Sequence, residues 1–408
     1  MRESLAEETS YMREIFLTFL RLGMTSFGGP IAHLGYFRRE FVERQKWLDD
    51  DAYAQIVAFC SILPGPTSSQ VGLVVGTLRG GAGGAFLAWL GFTLPSAIVL
   101  TLFALALRAL EADGASPGWL IGLLAGLTSA ATAVVAQAVL ALARSQCPDP
   151  QTQTIGIGAA ILALAVQSAA SLQWIPIAVG ALVGALFLRR GALGDVAALP
   201  LAIPRAISIG AGALFVTIVV VAGALAHISA VASFLATLVR AGSLVFGGGH
   251  VVLPLLQSAV NNGQMSARDF FAGYGAAQAM PGPLFTFAAF LGADNLSALH
   301  GIPGAIVATI VIFVPSFALV FALLPVWNAV RGMRGVGGAL RGANASVVGV
   351  LGAVLYSPMI TTLGTSNARI TIALGAFALV NVWKLPPWIV VALAAALGAG
   401  LASLGATV

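Results

Sequence analysis

Long apolar stretches run through this chain almost without interruption, Ala206 to Ala226 being one of them. Only 9% of its 408 residues are charged and 59% are hydrophobic, against roughly 25% and 45–50% in soluble domains. A water-soluble fold has no interior large enough for that much apolar surface, so soluble domains are excluded. A membrane β-barrel would read as short alternating segments instead of continuous apolar runs. The expectation is an all-α polytopic membrane protein with little mass outside the bilayer.

Charge and cysteine use narrow the function classes. The net charge is +5, and 18 of the 20 basic residues are arginine. On a membrane protein such an excess marks cytoplasmic loops beside anionic lipid, and no basic run is long enough for a nucleic-acid patch. The partners expected on composition are therefore the lipid bilayer and no nucleic acid. Cys60 and Cys147 are far apart, which gives neither a disulfide framework nor metal-ligand spacing, and they read as small buried hydrophobes. The polar, acidic start, Met1 to Glu14, lacks the basic and apolar regions of a signal peptide.

The chain contains itself twice. Phe16-Leu-Thr-Phe-Leu-Arg21-Leu-Gly23-Met-Thr-Ser26-Phe27-Gly28-Gly29-Pro30 returns as Leu235-Ala-Thr-Leu-Val-Arg240-Ala-Gly242-Ser-Leu-Val-Phe246-Gly247-Gly248-Gly249, at an offset of 219. Leu63-Pro64-Gly65-Pro66 returns as Met280-Pro281-Gly282-Pro283 at 217, and Gly84 with Leu94-Pro95-Ser96 returns as Gly304 with Val314-Pro315-Ser316 at 220. Order is kept and the offset drifts by three residues, so the expected organisation is two repeats, 11–200 and 230–408, around a linker, 201–229.

Spans are expected at 83–110, 118–143, 154–170 and 173–188. The pairs 12–27 with 31–46 and 52–63 with 66–79 flank Gly/Pro tips and read as re-entrant helical hairpins. Segment 31–46 carries Arg38, Arg39, Glu40, Glu43, Arg44 and Lys46, which resist a full crossing. Broken backbone at membrane depth is tolerated only inside protein or beside a wet cavity. Four spans per repeat and one linker span, 205–228, make five crossings before the second repeat, which therefore enters upside down as an inverted-topology repeat. On that topology fifteen basic residues fall on the side of the N-terminus and three opposite, so the N-terminus is expected in the cytoplasm. A topology in which every hairpin arm crosses is the alternative.

Arg21 and Arg240 stand at matching positions, each seven residues before the first glycine of its motif. No acid in the neighbouring helical segments is an evident partner for them, although Glu14 lies seven residues before Arg21. One reading has both arginines converge on an anion, because the guanidinium fork stays charged and pairs with oxyanion oxygens. The other has each snorkel to an interface or bond the carbonyls of a broken helix. The tips offer donors. Helices starting after Pro64-Gly65-Pro66 and Pro281-Gly282-Pro283 present free amides and a positive dipole end, beside Thr67, Ser68, Ser69 and Gln70 in one copy and Thr286 in the other. The glycines Gly28, Gly29 and Gly247, Gly248, Gly249 permit close approach to a ligand. The alternative for these tips is a hinge or packing notch. Of the four histidines, none at metal spacing, His250 follows Gly249 directly and His33 lies near the other tip; either suits a proton or an anion, or an ordinary interface. Asp294 is the one acid placed as a proton-carrier candidate. No nucleophile–base pair, Walker sequence or zinc motif appears.

These residues resemble the chromate ion transporter family in its long two-domain form. The resemblance rests on Phe27-Gly-Gly-Pro30 and the polar stretch after it to Trp47-Leu48, on Pro64-Gly65-Pro66, and on Trp89-Leu-Gly-Phe-Thr-Leu-Pro-Ser96, with weaker copies in the second half. It implies a secondary transporter that exports chromate across the bacterial inner membrane and confers chromate resistance, without a cofactor. The second half departs from the pattern: Gly249 stands for Pro30, and Arg38 and Arg39 have no counterpart. The site expected is Arg21, Ser26, Phe27, Gly28, Gly29, Pro64, Gly65, Pro66, Thr67, Ser68 and Ser69 with Arg240, Gly247, Gly248, Gly249, His250, Pro281, Gly282, Pro283 and Thr286. Its substrate is a chromate- or sulfate-like dianion. A sulfate or other oxyanion transporter and an anion channel are the rival functions, a membrane-embedded reductase or sensor a more distant one. A homodimer is the ordinary expectation for the assembly.

Overall fold

A computed structural model describes residues 2–111, 116–166, 174–188, 203–245, 252–257, 259, 263–295, 297–327 and 335–407. Among them all regular structure is helical. The helices are α1 (Arg2–Thr25), α2 (Gly29–Arg38), α3 (Asp50–Ile62), α4 (Thr67–Glu111), α5 (Gly118–Gln146), α6 (Pro150–Ala165), α7 (Ile175–Phe187) and α8 (Arg205–Leu225). The second half adds α9 (Ala230–Leu244), α10 (Val252–Leu256), α11 (Ala267–Gln278), α12 (Phe287–Asp294), α13 (Gly301–Leu323), α14 (Val336–Val354), α15 (Asn367–Asn381) and α16 (Pro387–Ser403). Short polar side chains cap the loop-facing starts: Asp49, Asp149, Ser229 and Ser266 each accept a backbone N–H from the first turn of the helix they precede. Five described helices or helix runs are long and apolar enough to cross a membrane: Thr67–Glu111, Gly118–Gln146, Arg205–Leu225, Gly301–Leu323 and Val336–Leu363. The protein is a multi-pass membrane protein.

α4 is two arms. Gly80 and Gly81 leave helical geometry, and the chain turns back so that Gly76 of arm 67–79 lies against Gly84 of arm 82–111. In the second half Gly292 of α12 lies against Gly304 of α13 in the same way. α1 runs parallel to arm 82–111: Met12 meets Gly80 and Gly83, and Gly23 meets Phe92. The matching contact is Gly242 of α9 on Ile312 of α13. Arm 82–111 and α13 run antiparallel. Trp89 packs on Phe313 and Phe317, with ring centroids 5.8 and 6.2 Å apart. At the other end Arg108 donates to the carbonyls of Ala293 and Asn295, just before α13, at 3.3 and 3.2 Å.

The copies are interleaved instead of sitting side by side. α5 packs on α15 and α16, and α14 packs on α6 and α7. Small residues let the backbones touch: Gly122 meets Gly398 and Gly126 meets Ala394, as Gly342 meets Gly180 and Gly338 meets Gly184. Such seams hold helices together where lipid supplies no hydrophobic drive. α8 stays at the periphery against α9 and α13, with no buried residue. Cys60 and Cys147 are both buried and unpaired.

Ion pairs gather at opposite ends of arm 82–111, which at 1.5 Å per residue is about 45 Å long. Glu14 pairs with Arg79 at 3.8 Å beside the Gly80 turn, and Glu111 pairs with Arg268 at the far end. Arm 67–79 rises only about 20 Å from that turn, so its Pro-Gly-Pro tip stands near half height.

Candidate functional site

The two Pro-Gly-Pro tips meet at that half height, each held by the other half of the chain. Gly65 N–H donates to the carbonyl of Val245, at the end of α9, at 2.7 Å; Gly282 N–H donates to the carbonyl of Ser26, at the end of α1, at 2.9 Å. The residue numbers exchange under the repeat offset, so these two bonds are one contact made twice. Each glycine also nests against the serine of the other half's Leu/Val-Pro-Ser run. A Cβ on Gly65 would lie 2.5 Å from Ser316 Cβ and Oγ, and one on Gly282 would lie 3.2 Å from Ser96 Oγ. Gly65 at φ +123° and Gly282 at φ +88° occupy backbone conformations that L side chains rarely adopt. Gln70 completes the first tip, its Nε2 donating to the Pro64 carbonyl at 2.8 Å and to Ser316 Oγ at 3.3 Å.

His33 ties the first half's two tips together. Its Nε2 lies 3.1 Å from the Ser26 carbonyl and its Nδ1 3.2 Å from Ser68 Oγ. A carbonyl only accepts, so Nε2 carries the proton and Nδ1 accepts from the serine hydroxyl. The Ser26 carbonyl thus serves His33 and Gly282 together. The expected site leaves out His33 and Gln70, though both are noted beside the tips, and passes over Ser96 and Ser316. The duplicated Leu/Val-Pro-Ser run in register with the tips was the available signal for both serines.

Free donors remain here. The hydroxyls of Ser26 and Ser69 are buried with no hydrogen-bond partner among the described residues. The first amides after Pro66, those of Thr67, Ser68 and Ser69, begin a helix and have no intrahelical partner. Other expected donors are committed. The tip glycine N–H groups join the two halves, Ser68 serves His33, and Thr286 Oγ1 donates to the Pro283 carbonyl at 2.7 Å. The second tip also differs in that a 3-10 turn, Leu284–Thr286, precedes α12. Gly28 and Gly29, with Pro30, face Gln278 and Gly282 across a cleft of about 30 Å³, room for one or two waters and not for a tetrahedral oxyanion. Phe27 packs on Trp388 at 5.5 Å. Residues 247–250 lie outside the described residues, and with them the expected roles of Gly247, Gly248, Gly249 and His250.

The arginines stand about 7–8 Å from the crossing along their own helices, since each precedes by five residues the carbonyl that binds a tip. Arg21 corrects the expectation that no acid serves it: its guanidinium is ion-paired with Glu40, a side chain only 9% exposed. The pattern hid this because Glu40 lies across a hairpin, on a π-helical run, Arg39–Arg44, that continues α2. Arg240 lines a cavity of about 530 Å³ with Ser243, His227, Trp174 and residues of α8. Its Nη2 donates to Thr237 Oγ1 at 3.3 Å. Asp294 is buried at the end of α12, between the two carbonyls that Arg108 holds.

The family profile for chromate transporters matches this chain at residues 13–186 and 232–399. A chromate transport protein of Pseudomonas aeruginosa is 29% identical over 345 residues, covering 83% of this chain and 79% of the relative. A chromate transport protein of Cupriavidus metallidurans is 26% identical, covering 85% and 82%. A probable chromate transport protein of Synechococcus elongatus is 26% identical, covering 92% and 90%. No solved structure matches.

Proposed function

The chain belongs to the chromate transporter family, a family of membrane transporters, and from that premise we propose that it is a secondary transporter that exports chromate from the cytoplasm and so confers chromate resistance. Repeats 11–200 and 230–408 form two inverted halves around linker 201–229, and the Pro-Gly-Pro arms are re-entrant. The antiparallel packing of arm 82–111 against α13 supports the inversion. The observation that carries the reading is the reciprocal pair Gly65–Val245 and Gly282–Ser26. A duplicated main-chain contact at half height is a place where one half rocks against the other.

A tetrahedral dianion enters through the Arg240 cavity or past Arg21, and its oxygens take the hydroxyls of Ser26, Thr67 and Ser69 and the amides that open arm 67–79. The narrow cleft at Gly28, Gly29 and Gly282 is the closed state of this passage. The protein sits in the bacterial inner membrane with the N-terminus in the cytoplasm, as the charge asymmetry supports. An inside-negative potential favours outward movement of each negative charge by about 2.3 kcal/mol per 100 mV, so export of a dianion requires no coupling ion.

The test is uptake of labelled chromate into everted membrane vesicles that carry the protein, under an imposed potential, with and without excess sulfate. Accumulation above empty vesicles that follows the potential is expected, and competition by sulfate would mark a shared dianion site. Absence of accumulation under every gradient would overturn chromate export.

A further inference from the structure

The duplication puts an arginine at the same place in each half, and the two places are filled differently. At Arg21 the guanidinium meets Glu40, which Arg44 Nη1 and Gln45 Nε2 also hold, at 3.4 and 3.1 Å. Glu40 reaches this position from the π-helical run Arg39–Arg44, a distortion that recurs at functional sites. In the second half the matching stretch is Gln257, Ser258 and Ala259, with no acid. Arg240 has no carboxylate partner among the described residues. It faces the open cavity instead.

We infer that Glu40 is a tethered counter-anion: its carboxylate occupies, at Arg21, the place that the transported oxyanion takes, so that Arg21 is a second anion station and Glu40 sets which anions can open it. This rests on the oxyanion-transport reading. The Arg21 side chain is 38% exposed, so its pair with Glu40 is screened and can exchange, and Glu40 neutralises the guanidinium while the station is empty. Carboxylate and oxyanion both meet the guanidinium fork through paired oxygens, so one can replace the other with little change in geometry. After displacement Glu40 keeps Arg44 and Gln45, and stays ionised. The exchange also selects. A dianion is attracted to Arg21 more strongly than the single charge of Glu40, whereas a monoanion of the same shape has no such advantage. Among the described residues Arg240 has no such competitor, so discrimination by charge belongs to the Arg21 station.

The experiment is anion binding to the purified full chain in lipid nanodiscs, with chromate as the dianion and perchlorate as the tetrahedral monoanion. The wild type should bind chromate at both arginine stations and perchlorate at the Arg240 station alone. Glu40→Gln removes the competing charge and should tighten chromate at the Arg21 station about tenfold, the factor expected for one charge-assisted hydrogen bond, and admit perchlorate there as a second site. Glu40→Asp keeps the charge on a shorter arm and should shift both anions the same way by less. Arg21→Gln together with Glu40→Gln should abolish the gain. A wild type that binds no chromate would overturn the transport reading itself. A wild type that binds chromate, with Glu40→Gln unchanged towards both anions, would overturn the role of Glu40 and leave transport standing. If Glu40→Gln fails to fold, Glu40→Asp decides alone, and its indifference sinks the inference.

Discussion

The two halves make the same contact at the Pro-Gly-Pro tips and different contacts at their arginines. At the tips the shared element is main chain: a glycine N–H on a carbonyl of the other half, beside a serine of the other half. That contact needs only a residue without a Cβ at one position, so the duplicated sequence can drift around it and keep the geometry. Five residues away the contact is between side chains, and there the halves part. Arg21 has Glu40, and Arg240 has a cavity. His33 follows the same division. It bridges Ser26 and Ser68 in the first half, while the matching position, Val252, is fully buried and apolar. Backbone geometry thus makes the same contact twice, and charge tells the two copies of it apart.

Substitution at the tip glycines gives the largest expected effect and tests whether the equivalence is as close as the main chain indicates. Gly65→Ala puts a methyl group 2.5 Å from Ser316 Cβ at φ +123°; overpacking of about 1–3 kcal/mol adds to about 1–2 kcal/mol of backbone cost. Gly282→Ala meets its nearest atom, the Phe92 carbonyl oxygen, only at 3.1 Å, and should lose mainly the backbone part. Thermal unfolding of the detergent-purified chain should therefore rank Gly65→Ala well below Gly282→Ala, and both below wild type. Equal melting temperatures for the two variants would mean the tips are not packed as described.

Arginine removal should separate the halves in stability as well as in binding. Arg21→Gln strands Glu40 with Arg44 and Gln45. Because the Arg21 side chain is 38% exposed, solvent screening holds the loss to about 1 kcal/mol, well under the cost of breaking a fully buried pair. Arg240→Gln breaks no ion pair among the described residues and should leave the unfolding midpoint where it is. A matching loss at Arg240 would reveal a carboxylate partner and erase the contrast. At His33 the change is of similar size. His33→Val copies the second half and leaves Ser68 Oγ without its acceptor, for about 1 kcal/mol. The Ser26 carbonyl keeps Gly282 N–H. The same unfolding assay reads it, and an unchanged midpoint would show that the bridge is not made.

Much of this arrangement was legible in the residues. Unbroken apolar runs announced the helices, and the ordered return of Gly-Gly, Pro-Gly-Pro and Pro-Ser announced the duplication. The turns at Gly28–Gly29, Gly65 and Gly282 fall where glycine and proline said they would. What joins the copies was not legible, because a backbone N–H on a backbone carbonyl leaves no mark in sequence. The exchange of α5 with α15 and α16 was hidden for a related reason. Gly122 and Gly398 look like any of the chain's 48 glycines until their backbones touch. Glu40 escaped because a helical count from Arg21 cannot cross a hairpin or foresee a π-helical run.

The smallest expected effect lies outside the membrane and concerns a bond between the halves that is ionic. Asp149 begins α6, and its Oδ1 accepts the Thr152 N–H at 2.9 Å, while its Oδ2 accepts from Arg341 of α14 at 2.8 Å. The Thr152 N–H, followed by the Thr152 hydroxyl and Arg341, holds this carboxyl below its ordinary 3.8. A carboxylate whose value is depressed in the folded protein contributes its stability fully above the unfolded value and loses it as pH falls through the folded one. Wild type should therefore lose a little more stability than Asp149→Asn as pH is lowered from 5 through about 3.8 and below. Above that range the variant should sit slightly lower, for want of the Arg341 pair. Parallel pH profiles for the two proteins would show that α6 and α14 are held by their glycine contact, Gly156 against Gly349, alone. The ionic bond would then be an accident of two neighbouring loops, and the symmetry of the interleaved helices would rest wholly on backbone packing.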